Sequence, residues 1–437
     1  MRLPGVDRMG KATAYPASGR SSQSRRRIRT LLGKVTIVVV ACACAAPPDG
    51  TPTPTQASTL RTVGPLAASP AGLPSTPLPP TATRNPVVAA TPTATRIERR
   101  EAIPWTRVGP GWSVVTWTPE NLSGVETPTA ATLLVVSPVG VRYAAGPLPA
   151  GFGLADVSVD GHRVLLRAHL ADRLIDWDLV TGHAREVGLP DVTSLDDVRY
   201  LPPTGAALLI SAGLNDAWHL ERRTVAGSLV TAYPRLPGQS PAGGPLVASP
   251  DGQLVAVPMR TGELALVEST AGSLVRVLPR PPEMQMCGAV RWSDADHLMA
   301  SCSNATSSAW RYHRGGGNPD AVATAVGPDG LGYVDAWPVT DGVLVKREVA
   351  CGGEGVVGRR TSDGSDDPVR VVVPGVGAER WTAAAVVGDT AYLLPMGCQE
   401  PRWPRTLVAY DTTADVATVL VGGLGGGTLL TARILTR

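Results

Sequence analysis

Between Leu174 and Leu278 apolar and polar residues alternate in short runs broken by glycine turns, and one form recurs. Leu174-Ile175-Asp176-Trp177-Asp178-Leu179 leads through Thr181-Gly182 to Ala184–Val187; Ala217–Leu220 leads through Ala226-Gly227 to Leu229–Thr231; Glu263–Val267 leads through Ala271-Gly272 to Leu274–Val277. These turn glycines are 45 residues apart, twice in succession. Alternation with period 2 predicts strands, because successive side chains of a strand point to opposite faces. A fixed period of this length predicts a repeat architecture in which no unit buries its apolar faces alone. The expected fold is all-β: a β-propeller whose blades are four-stranded antiparallel sheets.

A second series of turns supports this reading. Gly161, Gly205, Gly252, Asp296, Gly342 and Gly388 stand before apolar runs at steps of 44, 47, 44, 46 and 46 residues, and the first five precede the members of the first series (Gly182, Gly227, Gly272, Gly317, Gly364) by 20 to 22. Two hairpins in each unit require that offset. Asp160, Asp251 and Asp341 then cap their own turns while the following glycine takes positive φ; a calcium-ligand role would need further oxygens that the pattern lacks. The series defines six regular blades from about Phe152 to Gly423. Trp112–Trp117 and Leu133–Val136 supply a further irregular blade, and Thr428–Leu435, after the Gly422–Gly427 spacer, is expected to join it and close the ring. Closure removes the exposed sheet edges of an open array. Seven blades is the expected count, with six the alternative.

Composition adds an address. The first 42 residues hold 9 of the 40 Lys and Arg and 1 of the 37 acids, so the body carries 31 basic against 36 acidic groups. The net basicity belongs to the leader, and no basic face of the kind nucleic acid requires is expected. Arg25–Arg29 followed by an apolar stretch through Val35–Ala41 reads as a signal peptide over residues 1–41, too short for a bilayer span. Val39-Val40-Ala41-Cys42 resembles the lipobox of bacterial lipoproteins, with Val where Leu is commonest. That resemblance implies acylation of the Cys42 sulfur and a lipid-anchored protein on the outer face of the cytoplasmic membrane or in the cell envelope; ordinary cleavage near Ala43–Ala45 is the alternative. Residues 42–100 are rich in Thr and Pro and read as a disordered linker, leaving 101–437 for the propeller. In its period and turns the propeller region resembles the TolB-like and WD-repeat-like propellers of secreted bacterial proteins, without the His and Trp-Asp signatures of true WD repeats.

Four cysteines follow the leader. Cys287–Trp292, a turn at Ser293–Asp296 and His297–Cys302 read as one hairpin; with Trp292 opposite His297, Cys287 falls opposite Cys302, within disulfide reach. Cys351 and Cys398 occupy corresponding loops of neighbouring blades, where a disulfide would staple one blade to the next. A four-cysteine metal site is the competing reading and lacks close pair spacing.

The resemblance to TolB-like and WD-repeat-like propellers implies that the face opposite the two turn series carries any binding site. It is built from the middle loop of each blade: Arg167–Arg173, Ser211–Trp218, Pro258–Glu263, Ser303–Ser308, Ala350–Gly355 and Pro395–Arg405. Candidate binding residues there are Arg173, Asp216, Trp218, Arg260, Glu263, Glu354, Glu400, Arg402, Trp403 and Arg405. The longest loop, with Trp403 among Arg402 and Arg405, suits a binding anchor or a Pro-braced insertion. Glu354 and Glu400, drawn together by a Cys351–Cys398 disulfide, would suit acid and base in an extracytoplasmic hydrolase or lyase. No nucleophile elbow, phosphate loop, dinucleotide fingerprint or histidine cluster is present, so no cofactor, metal site or catalytic residue is assigned. The expected function is a non-enzymatic scaffold that presents loops to an envelope protein, peptide or glycan.

Overall fold

The computed structural model describes residues 86–90, 96–120, 122, 128–168, 172–190, 192, 194–214, 217–238, 245–324, 331–348, 357–360, 366–374, 380–395, 406–422 and 427–437. All belong to the compact unit Pro79–Arg437. Their strands pair into seven antiparallel blades. Blade 2 comprises Phe152–Val157, Arg163–Ala168, Leu174–Asp178 and Ala184–Val187; blade 3, Ser194–Leu201, Ala207–Leu214, Ala217–Thr224 and Leu229–Ala232. Blade 4 comprises Val247–Ala248, Leu254–Pro258, Leu264–Glu268 and Leu274–Leu278; blade 5, Met286–Trp292, His297–Asn304, Thr306–His313 and Asp320–Ala323. Blade 6 comprises Tyr333–Val339, Gly342–Arg347, Val357–Arg360 and Asp366–Pro368; blade 7, Trp381–Val387, Thr390–Pro395, Leu407–Asp411 and Val416–Val421. Among the described residues there is no α-helix, only 3-10 turns at Arg100–Ala102 and Trp105–Arg107.

Blade 1 closes the ring as the sequence predicts. Its strands run in the order Thr428–Ile434, Ser113–Thr118, Thr132–Val136, Arg142–Pro147. The terminal strand lies beside Phe152–Val157 and Trp381–Val387, the first strands of blades 2 and 7. A shared irregularity shows that it serves as the first strand of its own blade. The first strands of blades 2, 3, 5, 6 and 7 each carry one extra residue against their partner, at Ala155, Asp196, Val290, Val334 and Ala384. The terminal strand carries its extra residue at Leu430, opposite the step from Thr116 to Trp117. A bulge bends a strand and increases its twist, which suits the innermost strand of a propeller blade.

The core lies between blades. Val164 and Leu166 pack into blade 1, whereas Leu165 packs into blade 3 with Val198, Leu208 and Ile210. A sheet covered on both faces needs an unbroken apolar run, and Val164-Leu165-Leu166 supplies one. The turns behave as expected: the Ser158 hydroxyl donates to Asp160 at 2.6 Å, and Asp160 accepts the His162 amide at 3.0 Å, while Gly161 takes φ 72°. Ser249, Asp251 and Gly252 repeat this arrangement.

Three expectations need correction. Cys287 and Cys302 do form a disulfide, with Cα atoms 4.0 Å apart. The register behind that expectation is off by one at the turn, where Trp292 faces Leu298 rather than His297; the bulge at Val290 restores the offset before Cys287 is reached. Two of the middle loops, in blades 3 and 5, are also shorter than predicted. Cross-strand pairing continues through Ser211 and Trp218 and, in blade 5, through Ser303 and Ser307, leaving Ala305 at φ 65° as the turn residue. Finally, ordered structure begins before residue 101. Val87–Val88 runs parallel to Val371–Val372, Ala90 bridges Thr418 of blade 7, and Ile97–Arg99 adds a parallel fifth strand outside Arg142–Pro147 of blade 1. A Thr/Pro-rich composition hides this strap because its stability comes from partners far away in sequence.

Candidate functional site

Among the described residues, the loop face is tied across three blade junctions. In blade 2, the Arg167 guanidinium donates to the carbonyls of Leu195 and, at 2.8 Å, Asp196, where blade 3 begins. Asp172 accepts the Leu195 amide at 2.8 Å. In blade 4, the Gly262 carbonyl accepts the amide of Cys287 at 2.9 Å, joining the middle loop to the disulfide-bearing strand of blade 5. A side chain at Gly262 would meet the Gln285 carbonyl at 1.9 Å, so only glycine permits this approach. In blade 5, Ser307 and, at 3.2 Å, the Gly332 amide both donate to Glu348 of blade 6. Three junctions, between blades 2 and 3, 4 and 5, and 5 and 6, are thus tied at the loop end, which holds that part of the face in place.

Below these ties, charged residues join the first strands. The acid one residue after the bulge recurs in Leu154-Ala155-Asp156, Leu195-Asp196-Asp197 and Tyr333-Val334-Asp335. Asp156 accepts the Tyr200 amide of blade 3 at 2.8 Å and lies 3.6 Å from Arg199. Asp197 accepts the Leu246 amide at the entry to blade 4 at 3.1 Å. Asp335 accepts from Arg291 of blade 5 at 3.0 Å, and that guanidinium lies over the Trp337 ring. Arg433 donates to the Ala155 carbonyl at 3.1 Å, linking the closing strand to blade 2. Burial raises the carboxyl pKa of both Asp156 and Asp335 against the pull of Arg199 and Arg291. Burial works against the Arg199 charge too, yet Asp156 and Asp197 outweigh it, so that guanidinium holds its proton more tightly than usual.

A pH prediction follows from Asp335. Its folded pKa lies above the unfolded value, so its contribution favours folding fully below the ordinary carboxylate range and is lost as pH rises through the folded pKa. The wild type should therefore gain stability relative to D335N on acidification from neutral pH toward about pH 4. D335A leaves the Arg291 donor without its acceptor and should cost about 1–3 kcal/mol beyond D335N at neutral pH. Chemical denaturation of the three proteins across pH checks both; a wild-type to D335N difference that ignores pH would contradict the assignment.

The predicted candidates do not form one cluster within the described region. Arg173 donates to Glu186 of its own blade at 2.8 Å and lies over the Phe152 ring, both contacts local to blade 2. Arg260 is exposed, its backbone amide bonded to the Gly238 carbonyl at 2.7 Å. Glu263 accepts from Thr261 at 3.0 Å. Trp218 is a strand residue opposite Gly213. Asp216, Glu354, Glu400, Arg402, Trp403, Arg405, Cys351 and Cys398 lie outside the described residues, as does Cys42. The paired-acid arrangement needed for a hydrolase or lyase rests on Glu354 and Glu400 and so falls outside them as well. Among the described residues no group of three or more His, Cys, Asp or Glu is placed to hold a metal ion. The inner-strand charges were absent from the sequence candidates, although an acid in the same place of three repeats was there to be read.

No family model matches the chain, and no curated protein matches it. Solved structures similar in chain path include a protein assigned as TolB from Agrobacterium tumefaciens, at 13% identity and TM-score 0.39, covering 74% of this chain and 92% of that one. BamB from Moraxella catarrhalis matches at 13% identity and TM-score 0.39, covering 74% and 89%. An oligogalacturonate lyase from Vibrio parahaemolyticus matches at 11% identity and TM-score 0.44, covering 71% and 86%. Identities this low concern the fold alone.

Proposed function

We propose that this chain is an extracytoplasmic interaction scaffold, lipid-anchored through Cys42, whose loop face docks a protein, peptide or glycan of the cell envelope. The observation that carries the docking part is the set of ties at the loop end, from Arg167 to Leu195 and Asp196, from Cys287 to Gly262, and from Ser307 to Glu348. Loops held in this way bind with little ordering cost, which favours recognition by a preformed surface. The exposed Arg260 guanidinium offers a donor on that surface. The anchor rests on the Val39–Cys42 pattern, and the chain between it and the propeller acts as a stalk.

The two parts are tested separately. Expressed at full length in a bacterial host, the wild type should sediment with membranes and C42S should move to the soluble fraction; equal sedimentation would refute the anchor. Cross-linking in the envelope followed by affinity capture should recover a partner with the wild type that W403A/R405A loses. Unchanged capture would move the site away from that loop.

A further inference from the structure

The chain's own strap shows how this propeller accepts an extended peptide. At the junction of blades 6 and 7, the Val87 amide donates to the Arg370 carbonyl at 2.8 Å, and the Ala89 amide to that of Val372 at 2.9 Å. Ala90 exchanges two bonds with the outer strand of blade 7, its amide reaching Ala417 at 2.8 Å and its carbonyl receiving the Val419 amide at 2.9 Å. Ala89 is buried with Val371, Trp381, Tyr410 and Val419. A cleft beside Val87 is lined by Pro368, Val369, Arg370, Tyr410 and Asp415.

The junction of blades 3 and 4 carries a corresponding cleft, which no strap covers among the described residues. It is lined by Leu220, Tyr233, Leu236, Val257, Val267 and Gly272. Val267 and Tyr410 are both the fourth residue of a third strand. Gly272 and Asp415 close the following turns, both with positive φ, at 70° and 55°. Outside this cleft, Leu274, Arg276 and Val277 stand opposite Val267, Leu266 and Ala265, as Ala417, Thr418 and Val419 stand opposite Tyr410, Ala409 and Val408. Their exposure differs sharply: Ala417 and Val419 are 4% and 0% exposed, Leu274 and Val277 48% and 38%. Leu229 and Val230 on the outer strand of blade 3 are exposed as well. The strand Leu274–Leu278 is the last of its sheet, and an edge strand with exposed apolar residues is a template for pairing.

Charge selects the occupant. Arg276 stands where Thr418 meets the strap, and Arg235 is exposed on the connection that lines the cleft. Among the described residues neither guanidinium has a carboxylate partner. Two copies of Leu274–Leu278 paired antiparallel about Arg276 would oppose like charges, which disfavours a second copy of this chain. We infer that the outer edge of blade 4 binds an extended segment of a partner protein by strand addition, with small or β-branched apolar residues and an acid set against Arg276. This site is separate from the loop face and does not depend on it.

The probes are two fluorescein-labelled peptides, Asn-Pro-Val-Val-Ala-Ala-Thr, which is residues 85–91 of the chain, and its A90E form, which puts a carboxylate where Ala90 meets the outer strand. Titrated with the full-length protein in a fluorescence anisotropy assay, the A90E peptide should bind saturably and up to about fivefold more tightly than the parent, the upper range for a cross-strand ion pair. L274K/V277K should abolish binding with the thermal midpoint unchanged, because both side chains are exposed, and R276E should reverse the preference toward an A90K peptide. Three results would overturn the inference: no saturable binding of either peptide at millimolar protein, binding indifferent to both variants, or a concentration-dependent dimer that L274K/V277K dissolves, which would give the edge to a second copy. Hydrogen exchange slowed at Val275–Leu278 on addition of the A90E peptide would support it even if a variant folds poorly.

Discussion

A chain ending at Gly427 is expected to lose its cooperative unfolding transition. The ten residues removed hold the innermost strand of blade 1, paired with Ser113–Thr118 from Ser113 opposite Ile434 to Thr118 opposite Thr428. Leu429, Leu430 and Leu435 are buried, and burying each leucine is worth about 1.5–3 kcal/mol. Their sum rivals the whole stability of an ordinary domain, about 5–15 kcal/mol. Polar ties go with them: Thr116 bonds Thr431 at 2.7 Å, the Gly111 amide donates to the Leu435 carbonyl at 2.8 Å, and Arg433 holds Ala155 of blade 2. The truncated chain would also leave the Ser113–Thr118 edge of blade 1 unpaired and open to aggregation. A graded version is L429A, which should cost about 2–5 kcal/mol at this fully buried position. Calorimetry of both proteins is the check, and a truncated chain that melts in one transition at the wild-type midpoint would show that the ring is not closed by this strand.

That strand illustrates what the amino-acid sequence reveals. Strand, turn and period are local signals, so the six regular blades and the closing run after Gly422–Gly427 could be read directly. The Cys287–Cys302 pairing was legible for a weaker reason. A one-residue error at the turn was cancelled by the bulge at Val290, and nothing local in Gly288–Trp292 announces that bulge. The inner-strand acids were visible as residue types, but their meaning depends on the neighbouring blade: Asp335 matters because Arg291 of blade 5 reaches it, and Asp156 because Tyr200 of blade 3 does. The candidate site was legible only as a face. Which loop ends are short, and that Arg173 is taken by Glu186, depends on pairing between strands rather than on composition.

The strap is the second large effect. A chain starting at residue 86 should melt like the full-length protein, whereas one starting at residue 101 should melt several degrees lower. The shorter form loses the four backbone hydrogen bonds of Val87, Ala89 and Ala90 to blade 7 and the preceding connection, the buried Ala89 methyl, and the fifth strand at Ile97–Arg99. Net hydrogen-bond contributions are near 1 kcal/mol each, and ordering the strap offsets part of them, so a loss of about 2–4 kcal/mol is expected. The loss should be local before it is global. The Val419 amide, which donates to Ala90, should exchange faster in the shorter chain, while the Leu166 amide, deep in blade 2, should keep its protection. Equal midpoints together with unchanged exchange at Val419 would mean that residues 86–100 rest on the propeller without holding it. The direction of the effect follows from sheet geometry: the strap spans blades 6, 7 and 1, so it bridges the same seam that the terminal strand closes from inside. The two fastenings act on blade 1 from opposite sides, the terminal strand pairing with Ser113–Thr118 and the strap with Arg142–Pro147, so the one blade built from both early and late parts of the chain is held at both of its edges.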